Sequence, residues 1–80
     1  MKRKMKLIRK ILEFSEEYFD GANRLPVPEM KDYSDSQIEY HVRLCLEAGY
    51  LRADTRNEGS VYAIYGLTWQ GHELLDQLRQ

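Results

Sequence analysis

The side chains of this 80-residue sequence that could do chemistry are few, and their spacing decides which kind. His41 and Cys45 stand four apart, a spacing that can put two metal ligands on one helix face. A structural zinc site takes four ligands in recognisable pairs, and here no second pair exists, His72 standing alone. Cys45 therefore reads as a small core residue, and neither a metal nor any other cofactor is expected. A nucleophile needs a base and an orienting group within reach, and no cysteine or serine here has that signature. No glycine-rich phosphate loop occurs. His72-Glu73 reads as helix-start packing, and Trp69 beside Gly71 as a core anchor. At 9.5 kDa the chain has little room for a sizeable pocket, so no enzymatic activity is expected.

Anion recognition is the chemistry that survives. Lys and Arg number 12 and Asp and Glu 13, so the net charge of −1 excludes a uniformly basic nucleic-acid binder. The charge is nevertheless uneven. Residues 1–10 carry Lys2, Arg3, Lys4, Lys6, Arg9 and Lys10 with no acid, a basic head on a mildly acidic body. Lys2, Lys6, Arg9 and Lys10 are the candidates for anion contact, and Arg52 and Arg56 farther along, opposed by Asp54 and Glu58, are candidates for the minor groove. Gln37, Tyr40 and Arg43 are the candidates for base edges, because an amide can pair with adenine and a guanidinium with guanine. Asp35 and Glu39 lie among them and would face phosphates. Glu39, Arg43 and Glu47 fall at i, i+4 and i+8, so intrahelical pairing competes for Arg43.

The elements that must position these residues follow from periodicity. Met5, Ile8, Ile11, Leu12, Ser15 and Tyr18 recur at three- and four-residue steps and predict a first helix, with Gly21 as its left-handed cap. Cations in its first turn oppose the helix dipole. Pro26 and Pro28 restrict residues 22–28 to extended geometry, leaving a strand of two or three residues around Leu25 to Val27. Pro28 can open a very short second helix through Tyr33. Ser34-Asp35-Ser36-Gln37 matches a capping box, and Ile38, Val42, Cys45 and Leu46 then form the apolar stripe of a helix ended by Gly49. Tyr50 to Thr55 and Val61 to Gly66 read as a hairpin about a turn at residues 56–60, where Asn57 and Gly59 can supply positive φ. Thr68 caps a last helix with Leu74, Leu75 and Leu78 facing inward and Gly71 permitting a close approach. The fold class is thus α+β, a single winged helix-turn-helix domain over residues 1–80 in the order α-β-α-α-β-β-α.

Several segments also resemble one family. Leu7-Ile8-Arg9-Lys10-Ile11-Leu12, Ile38-Glu39-Tyr40-His41-Val42, Leu46-Glu47-Ala48-Gly49 and Leu67-Thr68-Trp69-Gln70-Gly71-His72-Glu73 are similar to domain-of-unknown-function family twenty-five thirteen. The resemblance implies a winged-helix-like fold and a phage or prophage origin, and assigns no activity. Lys4 and Lys6 depart from it, since similar proteins place acids near those positions.

The expectation is a small DNA-binding or transcription-regulatory protein, docked on double-stranded DNA through the basic head and the wing arginines. A homodimer is expected, because paired half-sites strengthen weak modules. The alternative is a protein-interaction module, such as an inhibitor of a host or defence protein, working through the acidic face of the recognition helix. The longest apolar run, Val61 to Tyr65, is far too short to span a membrane. Arg9 and Lys10 interrupt any secretion signal, and one cysteine fits a reducing compartment, so a cytoplasmic location is expected.

Overall fold

Helix α1 occupies Met5–Tyr18 in the computed structural model, which describes residues 1–80. Its buried face is Leu7, Ile8, Ile11, Leu12 and Ser15. Met5 and Tyr18, at the two ends of the expected stripe, run past the core and stay exposed. The helix stops before Gly21, which is not its cap. Phe19 turns extended at the C-cap, and the Asp20 carboxylate accepts the Ala22 and Asn23 N–H groups. Those local bonds compete with continuation of the helix. They also hold the Asp20 carboxyl down at about 2, the Asn23 and Ala22 N–H groups being the main causes.

Between α1 and the next helix the chain bends at residues 21–23 and turns at 31–33, with no regular helix or strand between. Only Leu25 pairs, with Ile64, through mutual N–H and C=O bonds of 2.7 and 2.8 Å. Pro26 has no N–H with which to continue the ladder. The short helix anticipated at Pro28 to Tyr33 is absent, and a single turn bond from Tyr33 N–H to Met30 O takes its place. Six residues cannot offset the cost of helix nucleation unless packing demands it. Here Met30 and Tyr33 reach the core without a helix.

Helix α2 (Asp35–Glu47) begins as its sequence dictates: Ser34 Oγ accepts from Gln37 N–H, and Gln37 Oε1 accepts from Ser34 N–H. It ends with Gly49 at φ +81, and the N–H groups of Gly49 and Tyr50 bond back to Leu46 O and Cys45 O. That pattern closes the orphan carbonyls of a helix end and needs the left-handed residue. Strands β1 (Leu51–Thr55) and β2 (Val61–Leu67) form an antiparallel pair. Leu51 is opposite Leu67 and Thr55 opposite Val61, with two register shifts between. Within the turn only Gly59 has positive φ; Asn57 does not.

Helix α3 (Trp69–Leu78) is capped by Thr68 Oγ1, which accepts from Gly71 N–H at 3.0 Å. A Cβ on Gly71 would lie 2.0 Å from Tyr50 O, so this glycine sets how closely α3 seats on the start of the hairpin. Of the three inward leucines only Leu75 is fully buried. Trp69 is 76% exposed and anchors no core. It precedes Gly71 by about 200° of helical rotation, on the far side of α3 from the packed face. The core gathers Leu7, Ile11, Leu12, Ile38, Val42, Ile64 and Leu75 between the three helices and the hairpin. The architecture is α+β, three helices and a two-stranded antiparallel sheet, and no helix is long and apolar enough to cross a membrane.

Candidate nucleic-acid interface

Two side chains of α2, only two residues apart, fix what flanks its exposed face. Glu39 Oε1 accepts the Val61 N–H at 3.0 Å, tying the start of β2 to the helix. His41 is fully buried and has both ring nitrogens engaged: Nδ1 donates to Gln37 O at 2.7 Å, and Nε2 accepts the Lys4 N–H at 2.9 Å. That bonding fixes the neutral Nδ1-protonated tautomer, since a backbone amide can only donate. Lys4 is the N-cap residue of α1 and makes no side-chain cap of its own. His41 is thus the anchor of the basic head.

Positions 39 and 41 are separated by about 200° around the helix. The hairpin therefore borders α2 on one side and the basic head on the other. Between them lies the outward stripe of Ser36, Tyr40, Arg43 and Glu47, with Ser36, Arg43 and Glu47 exposed and Tyr40 half-buried. Lys2 and Lys6 are exposed and free of ion pairs at the head end. At the turn, Arg56 lies 5.2 Å from the centre of the Tyr62 ring, while Glu58 is held by Ser60, whose hydroxyl lowers the carboxyl's proton affinity.

Other expected contacts are placed elsewhere or are already engaged. Gln37 has its amide oxygen in the capping box, so it cannot present the full amide edge that adenine requires. Arg43 donates to Glu39 at 2.6 Å. Arg9 turns toward α3, reaching Glu13 at 3.5 Å and Leu78 O at 3.4 Å. Lys10 lines a shallow groove with Glu17, Tyr18 and Met30 on another side of α1. Arg52 donates to Leu67 O at 2.8 Å and lines a cleft with Ser15, Glu16 and His72. The exposed stripe of α2 and the exposed Lys2, Lys6 and Arg56, which make no salt bridge, are what the candidate interface retains.

Sequence reasoning missed the roles of Glu39, His41 and Arg24. Glu39 is a clamp between helix and hairpin, not a free acidic contact, and reversing its charge would loosen the fold. Arg24 pairs with Asp54, which raises its proton affinity, and lies 4.4 Å from the Tyr65 ring centre. A signal for His41 existed: with Ile38, Val42 and Cys45 it completes an i, i+3, i+4, i+7 stripe. Nothing local pointed to Arg24. Cys45 is buried, and burial pushes its thiol up to about 12, which leaves no reactive thiolate near neutral pH.

Comparison with known proteins agrees across the chain. The family model described as a hypothetical protein, DUF2513, matches residues 2–80. An uncharacterized protein of Haemophilus influenzae is 38% identical over 82 aligned residues, which take in 99% of this chain and 69% of the relative. No solved structure matches. Matched from residue 2 to residue 80, the chain belongs to the DUF2513 family.

Proposed function

We propose that this protein is a winged-helix module that docks on double-stranded DNA, with α2 as the element presented to the major groove. One observation carries the reading: the outward stripe of α2 is bordered by the hairpin through Glu39–Val61 and by the basic head through His41–Lys4. A recognition helix flanked by a wing and a cationic arm is a geometry in which the flanks reach phosphates while the helix meets base edges. In this reading Lys2, Lys6 and Arg56 contact phosphates. Tyr40 and Arg43 supply what sequence preference there is, once Arg43 exchanges Glu39 for a base. Glu47 on the same stripe disfavours phosphate and keeps the affinity modest.

The test is a titration of generic duplex DNA at two salt concentrations. Three phosphate contacts predict a loss on the order of 40-fold when salt rises fourfold from about 50 mM. Lys2→Glu with Lys6→Glu should flatten that dependence. No binding in low salt, or binding indifferent to the head lysines, overturns the proposal.

A further inference from the structure

The base of the hairpin, the end of α1 and the start of α3 border a cleft of about 260 Å³ in which no residue of α2 takes part. Ser15 and Glu16 of α1, Phe19 at its C-cap, Arg52 of β1, Leu67 of β2 and His72 of α3 line it. One of these side chains departs from the rest of the interior. Only two polar side chains are buried, Ser15 at 1% exposure and His41 at 0%. His41 has a partner on each ring nitrogen, whereas Ser15 Oγ has none, not even a carbonyl of its own helix. Buried hydroxyls are normally hydrogen-bonded, and one left bare in the lining of a cleft marks a place where a polar group from outside can bond.

The charges around the cleft select the kind of group. Arg52 donates one N–H to Leu67 O, makes no salt bridge, and keeps the remainder of its fork free. Glu16 is already matched: its Oε1 accepts from Arg79 Nη2 at 2.7 Å, and its Oε2 stands 3.7 Å from His72 Nδ1. Arg52 is therefore the cation left without a counter-charge, and a guanidinium fork takes a carboxylate bidentately. Glu16 in the same cleft repels a second negative charge, which favours a monoanion over a phosphate. Phe19 and Leu67 form the apolar wall. A Cβ on Gly66 would lie 3.0 Å from the Phe19 ring, so bare backbone lets the ring lie close against β2. We infer that this cleft binds a small organic monocarboxylate, its charged end between Arg52 and the Ser15 hydroxyl and its apolar body against Phe19 and Leu67. Ser15 then donates the hydrogen bond that it lacks within the chain. The inference stands apart from the DNA reading, since Lys2, Lys6, Arg56 and the α2 stripe have no part in the cleft, and its test contains no DNA.

Benzoate is the probe, titrated into the full chain and followed by ¹H–¹⁵N correlation spectra. The titration runs to about 10 mM, because a ligand of this size with one charged anchor reaches a Kd of about 1 mM. The expected result is a saturable shift at residues 15, 19, 52, 67 and 72, with the basic head unmoved. Benzamide, the same shape without the charge, and inorganic phosphate should each bind about tenfold more weakly or worse. Arg52→Gln, at an exposed position whose fold is checked by circular dichroism, should weaken benzoate about tenfold. Ser15→Ala should weaken it about threefold and leave the urea midpoint unchanged or higher, since it removes a hydroxyl that bonds to nothing in the free protein. A serine with only a structural part would lower the midpoint and leave the affinity alone. The inference is overturned by the absence of a saturable shift, by benzamide or phosphate binding as well as benzoate, or by shifts centred on Lys2 and Lys6. An affinity indifferent to either substitution overturns it too.

Discussion

Helices α1 and α2 begin in opposite ways. The start of α2 is written within four residues: Ser34 and Gln37 satisfy each other's backbone N–H groups, and Asp35 places an acid in the first turn. The start of α1 has no acid in its first turn and no side-chain cap, and it carries cations where the helix dipole disfavours them. What holds it is His41, 37 residues away. One helix is self-starting, and the other is started by its neighbour. The basic head can therefore stay charged because its anchorage lies in α2, outside its own sequence.

The sharpest way to break this contrast is His41→Ala. It removes a fully buried ring and leaves the Lys4 N–H and the Gln37 carbonyl without partners. The cavity and the orphaned groups together should cost about 3 kcal/mol in urea unfolding, with amide exchange rising first in residues 4–8. Long-range ¹H–¹⁵N correlation of the wild type should show His41 protonated at Nδ1 near neutral pH; an Nε2-protonated ring would contradict the anchor. Ser34→Ala tests the other start and should cost about 1 kcal/mol, the ordinary worth of an N-cap. Its effect should stay in the first turn of α2 and leave the head in place. Lys6→Glu sharpens the comparison from the functional side. Replacing a first-turn cation by an acid should add about 0.5 kcal/mol to stability while weakening DNA. A variant that gains neither stability nor salt-insensitivity would show that the head's charge is inert.

The legibility of the sequence follows the same division. The capping box, Gly49, the hairpin, Thr68 and the close approach at Gly71 are local signals, and each appears where its residues place it. The short helix at Pro28 was misread because proline tolerates a first turn without demanding one. Trp69 was misread because aromatic size suggests burial, whereas its phase on α3 turns it outward. The candidate interface was partly legible. Head cations and hairpin arginines stand out in the sequence, but Arg9, Gln37 and Arg52 are claimed by Leu78, Ser34 and Leu67, partnerships that spacing alone could not select. Ser15 Oγ is buried without any partner, and its place on an apolar stripe was legible although its lack of a bond was not.

The two register shifts in the hairpin reach beyond its own shape. Leu25 covers part of one side of β2, while the outer side of β1 lies open. An open strand invites edge-on addition of another chain, and bulges spoil the straight ladder such addition needs. Both extra residues lie on β2, seven residues of which face five of β1, so the bulges bend the pair from the inner strand. The open margin of β1 is therefore the edge of a bent, strongly twisted ribbon rather than a flat ladder, a poorer template for a second chain.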